Sequence, residues 1–97
     1  MNLRRDVILA RLRTTKPDLE REFPLRRMAL FGSVARGDAK PESDIDILVD
    51  VDASISLRFV TLAERLESLL GHGMDLVSRR AVKPLLWKQI EPGLIEV

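Results

Sequence analysis

Residues 30–51, LFGSVARGDAKPESDIDILVDV, constrain this chain more than any other stretch. An apolar run from Met28 to Phe31 stops at Gly32-Ser33. A short polar segment follows, and then the alternating run Ser43-Asp44-Ile45-Asp46-Ile47-Leu48-Val49. This is a strand, a turn and a second strand. Side chains on a strand repeat direction every second residue, so Asp44 and Asp46 project from one face with Cα atoms roughly 6.5 Å apart. That separation suits carboxylates that converge on divalent ions. Gly32-Ser33 offers backbone N–H groups and a hydroxyl to phosphate oxygens. Val34-Ala35-Arg36 starts a short helix, which puts Ser33 at an N-terminus where an anion is favoured.

Composition narrows the setting. At 97 residues the chain is read as one domain, residues 1–97, and its 45% apolar content fits a folded globule. A formal charge of +1 argues against a dedicated nucleic-acid binder, whose footprint is a strong basic excess. With no cysteine, disulfides, zinc–thiolate sites and thiol catalysis are excluded. No apolar run approaches the roughly 18 residues of a membrane span, and the N-terminus lacks a signal-peptide core, so a soluble cytoplasmic protein is expected. A domain this small, without disulfide or structural metal, is expected to lean on a partner protein or on oligomerisation.

Along the chain, residues 3–14 carry Leu3, Val7, Ile8 and Leu12 on one helical face, with Asn2 as N-cap. Pro17 is expected to end that helix and open a short second one over residues 18–23. Residues 27–31 form the first strand and residues 44–50 the second. Ser54 or Ser56 caps a helix running to about Leu70, with Phe59, Leu62, Ala63, Leu66, Leu69 and Leu70 inward and Gly71 as its stop. Residues 74–77 form a third strand. Residues 81–90 form a last helix anchored by Leu85, Leu86 and Ile90, and residues 94–97 an edge strand. The strands are too few for a doubly wound domain. The expected fold is α+β, a two-layer α/β arrangement: a small mixed sheet with helices packed on one face and the carboxylates on the other.

Phosphoryl or nucleotidyl transfer needs charge neutralisation, donors for the nonreacting oxygens and an aligned nucleophile. Asp44 and Asp46 are hard oxygen ligands of the kind Mg²⁺ prefers. Two-metal displacement calls for a further carboxylate from a neighbouring strand. Asp75, the lone acid of an apolar strand, is preferred over Asp50 and Asp52, because Asp50 lies nearly 20 Å along the strand from Asp44. Arg36, just past the turn, is placed for a phosphate. Ser43 is a turn or cap residue rather than a nucleophile, since nothing beside it looks like an activating base. His72 reads as a loop residue, and Trp87 as packing or an interface anchor. The chain has neither the P-loop nor the G-x-G-x-x-G pattern.

Gly32-Ser33-Val34-Ala35-Arg36-Gly37 followed by Ser43-Asp44-Ile45-Asp46-Ile47-Leu48-Val49 resembles the signature of the DNA polymerase beta-like nucleotidyltransferase superfamily. Within it the chain is similar to the minimal nucleotidyltransferases, small prokaryotic antitoxins paired with HEPN-domain toxins. The resemblance covers roughly residues 26–97 and implies the nucleotidyltransferase fold. It implies that Gly32 and Ser33 cradle the triphosphate of ATP with Arg36 and Ser43 in support, and that Asp44 and Asp46 bind Mg²⁺. Asp75 would bind metal and activate the acceptor hydroxyl, which would attack the α-phosphate and release pyrophosphate. The implied acceptor is a tyrosine of the HEPN partner. Two rival readings stand beside this one: an antitoxin that works by direct complex formation without catalysis, and a nucleotidyltransferase for a small molecule or an RNA end.

Overall fold

The computed structural model describes residues 3–97. Helix α1 spans Arg5–Glu22 and strand β1 Leu25–Phe31; helix α2, Gly32–Arg36, leads to strand β2, Ile45–Val51. Helix α3, Arg58–Leu70, then crosses over to strand β3, Met74–Ser78. Helix α4, Pro84–Ile90, precedes strand β4, Ile95–Glu96. The four strands form one mixed sheet in the order β3-β2-β1-β4. β1 runs antiparallel to β2 and β4, and β2 runs parallel to β3. A parallel pair needs a long crossover connection, and α3 supplies it.

The core lies between the sheet and α1, α2 and α3. Ile45, Ile47, Val49 and Val51 of β2 and Met28 and Leu30 of β1 meet Ile8, Leu12 and Leu19, Val34, and Leu62, Leu66 and Leu70. The opposite face carries the alternate residues: Arg27, Ala29 and Phe31 pair with Asp50, Leu48 and Asp46, and Asp46 pairs in turn with Asp75. The alternation expected of β2 therefore divides core from carboxylates.

Three local expectations are corrected. α1 continues through Pro17 as a single helix. A proline inside a helix costs about 3 kcal/mol. Beyond it, Leu19 and Phe23 are both buried, and each recovers about 1.5–3 kcal/mol, so continuing wins. Pro17 itself is on the exposed side. Arg4 occupies the N-cap position of this helix, and Asn2 lies outside the described residues.

α3 starts at Arg58 with no side-chain cap, and neither Ser54 nor Ser56 serves. Residues 53–55 instead form a 3-10 turn, where Asp52 accepts a bond from the Ser54 amide at 2.9 Å. That bond holds the Asp52 carboxyl below its ordinary value.

Leu85 and Leu86 do not anchor α4, being 77% and 48% exposed. The helix is held through Trp87, which has the Arg79 guanidinium 3.7 Å from its ring centroid and that of Arg27 at 6.0 Å. Arg27 belongs to the carboxylate face, so α4 meets the sheet at the far end of that face. No described helix is long and apolar enough to cross a membrane.

Candidate active site

The site lies where β1 ends and β2 and β3 begin. Phe31 turns directly into α2 through Gly32, which has φ +75°, a conformation open to glycine at little cost. A β-carbon there would overlap the Asp46 carboxylate, so the turn and the acid share one space. Asp46 is the cross-strand partner of Phe31 and sits beside Asp75 in the parallel register. Asp44 lies one residue ahead of the strand and is exposed. Its Oδ1 would be 2.5 Å from a β-carbon at Gly73. Each carboxylate of the Asp-x-Asp pair thus rests against a glycine that leaves room for nothing larger.

The electrostatics follow from this packing. Burial raises the Asp46 carboxyl above its ordinary value, and the negative charges of Asp75 and Asp44 raise it further, while Arg36 opposes them. Desolvation and like charge both disfavour the carboxylate form. Among the described residues, Asp44, Asp46 and Asp75 form no ion pair. A partly buried acidic cluster of this kind favours a cation. No described group of three or more acid or histidine side chains is arranged to hold an ion alone. A Mg²⁺ site commonly takes one or two carboxylates and completes its shell with waters and substrate phosphates. The glycine-lined acid pair fits that description.

The remaining candidates fall around the acids with distinct duties. Ser33 is half-buried in the first turn of α2, and its carbonyl receives the amides of Gly37 and Asp38 at 3.0 Å. Arg36 is exposed, with its Nε 3.3 Å from Asp38, and its charge reaches Asp46. Ser43 closes the loop before β2: its hydroxyl accepts from the Lys40 amide at 3.0 Å and its own amide donates to the Lys40 carbonyl at 2.9 Å. Asp52 is taken up by the Ser54 amide and by Arg26, whose Nη2 is 2.7 Å away. Asp50 lies four residues beyond Asp46 on the same face, about 13 Å along the strand.

Gly73 joins the candidate residues through its close approach to the Asp44 carboxylate. Its signal was available: a glycine directly before the strand that bears the third acid marks close backbone approach. A cleft of about 600 Å³ between the start of α1 and residues 37–41 contains none of the candidate residues. Asp44 and Asp75 are exposed and Asp46 is partly buried at this end of the sheet.

The nucleotidyltransferase domain pattern matches residues 12–96. The protein adenylyltransferase MntA of Thermococcus cleftensis is 43% identical over 76 residues, covering 77% of each chain. A solved structure described as a minimal nucleotidyltransferase superposes with a TM-score of 0.84 at 35% identity, covering 100% of this chain and 97% of that one. A complex of a tri-AMPylated HEPN toxin with its MNT antitoxin, from Shewanella oneidensis, gives 0.58 at 28% identity, covering 95% of this chain and 66% of that one. With the glycine turn, the paired acids and the mixed sheet in one place, the chain belongs to the nucleotidyltransferase domain family and is a minimal nucleotidyltransferase.

Proposed function

We propose that residues 1–97 act as a single Mg²⁺-dependent domain that transfers AMP from ATP to a tyrosine hydroxyl of a HEPN-domain toxin and so works as its antitoxin. The observation that carries this reading is the set of three aspartates at one end of the sheet, two of them packed against glycines and none in an ion pair among the described residues. Its relatives add the chemistry: one is named a protein adenylyltransferase, and one neighbour holds an AMPylated HEPN toxin.

In this reading Gly32 and Ser33 hold the triphosphate, and Arg36 leaves its exposed contact with Asp38 to meet it, with Ser43 supporting the loop behind. Asp44, Asp46 and Asp75 are the residues that would hold Mg²⁺. When bound, Mg²⁺ neutralises phosphate charge and fixes the reacting oxygens. Asp75, exposed and beside Asp46, takes the proton of the tyrosine hydroxyl. The tyrosine oxygen bonds to the α-phosphorus, the bond from that phosphorus to the bridging oxygen breaks, and pyrophosphate departs. The cytoplasm, which supplies ATP, Mg²⁺ and the toxin, is the compartment this activity needs.

Incubation with labelled ATP, Mg²⁺ and a cognate HEPN-domain protein is expected to place label on a partner tyrosine. A folded partner that stays unlabelled overturns the reading. A second reading is neutralisation by contact alone, in which a partner covers exposed apolar side chains such as Leu57 and Leu85, 85% and 77% exposed. If contact suffices, the double variant Asp44→Asn, Asp46→Asn still neutralises the toxin.

A further inference from the structure

We propose that His72 is a positioning residue whose doubly protonated ring fixes Asp44 by tying together the two backbone segments that flank it. The proposal rests on the nucleotidyl-transfer reading and deepens it.

The geometry is specific. Nε2 of His72 lies 3.1 Å from the carbonyl oxygen of Pro41, three residues before Asp44. Nδ1 lies 3.0 Å from the carbonyl oxygen of Gly73. That same Gly73 oxygen accepts the amide of Ile45, one residue after Asp44, at 3.0 Å. A carbonyl can only accept, so both ring nitrogens must donate for both bonds to exist together. A neutral ring has one N–H and can keep only one of them. The cation therefore closes a bridge from the 37–43 loop through the ring to β3, with Asp44 in its span and Gly73 against the Asp44 carboxylate.

The surroundings favour that charge state. The two carbonyls, Gly73 first and then Pro41, raise the ring above its ordinary value. Among the described residues, Asp44 is the charged side chain acting on it, and it works in the same direction. The bridge is thus intact below the raised value and opens as pH rises through it. Loss of groups that orient metal ligands typically weakens metal affinity by about 10-fold or more.

His72 is the chain's single histidine, so its ring can be followed by NMR without variants. The experiment uses the full chain and combines that titration with Mn²⁺ and a nonhydrolysable ATP analogue, measured by calorimetry. The ring is expected to titrate above 6.5, and binding of the Mn²⁺–nucleotide pair to weaken about 10-fold over the same pH range. His72→Ala is expected to bind about 10-fold more weakly at pH 6 and to show no such pH step. His72→Gln, whose single amide nitrogen can reach only one of the two carbonyls, should fall between them. At any one pH, the amides of Ser43 and Ile45 should exchange faster in His72→Ala than in the wild type.

Unchanged binding and unchanged exchange in a folded His72→Ala protein overturn the proposal, as does a ring titrating at or below 6.5. If the wild type binds no Mn²⁺–nucleotide pair, the transfer reading itself fails. Exchange at Ser43 and Ile45 then decides the positioning role by itself.

Discussion

At the end of the sheet where β1 stops, Asp44, Asp46 and Asp75 stand together with no ion pair among the described residues. At the other end of the sheet, Arg27 donates to Glu96 at 2.6 Å, Trp87 has the guanidinium groups of Arg79 and Arg27 at 3.7 and 6.0 Å, and Arg26 holds Asp52 at 2.7 Å. Both ends are rich in charge, but only the far end neutralises it internally. Exposed pairs such as these contribute little, typically below about 1 kcal/mol each. The acid end accepts desolvation and like-charge repulsion that the fold could have relieved with one arginine. The contrast separates charge that serves the fold from charge held ready for a ligand.

The sharpest way to break this contrast is to remove the acids. The double variant Asp44→Asn, Asp46→Asn should lower AMP transfer at least about 1,000-fold, read as label reaching the partner, while the protein stays folded. Next comes Gly32→Ala, which puts a methyl group into the Asp46 carboxylate at a positive φ. It should cost about 1–3 kcal/mol in a denaturant melt as well as most of the transfer.

Asp46→Asn alone should move stability and activity in opposite directions. The folded-state pKa of Asp46 is raised, so the folded protein holds that proton more tightly than the unfolded chain. Its contribution to stability is greatest at low pH and declines as pH rises above the ordinary carboxylate range and through the raised value. Asparagine has no charge to desolvate. The variant without ligands should therefore melt higher than the wild type at pH 7, by an amount that shrinks as pH falls. At limiting Mg²⁺, transfer by the wild type should fall as pH drops, because protons compete with the proposed Mg²⁺ for Asp46.

The smallest effect belongs to the far end. Arg27→Ala removes the Glu96 pair and the more distant of the two cations near Trp87, and should cost no more than about 1 kcal/mol by melting, with transfer unchanged. A large loss of transfer in that variant would mean the two ends are not independent.

The sequence carried the acid end well because its logic is local. The period of two placed Asp44 and Asp46, the Gly-Ser break placed the turn, and the lone acid of β3 proved to be the register partner of Asp46. What escaped was set by distant packing. Pro17 reads as a helix end until buried Leu19 and Phe23 outweigh its cost. Leu85 and Leu86 read as anchors, yet a helix at the rim of the sheet is held by the Trp87 ring instead. Gly73 and His72 look like a connector, because their meeting with Asp44 and Pro41 requires β3 to lie beside β2. No pattern within a window of a few residues contains that information.

The parallel pairing of β2 with β3 also bears on how such a chain can vary. Asp46 and Asp75 are 29 positions apart, yet their alignment is set by backbone hydrogen bonds between two strands and not by the length of the α3 crossover. Doubling a flexible connection costs only about 0.6 kcal/mol in closure entropy. Insertions between Ser56 and Leu57, both exposed, should therefore leave the two carboxylates in register. A single-residue slip between the strands would turn Asp75 toward the core. Evolution could lengthen the crossover to suit new partners while the spacing of the acids stays fixed.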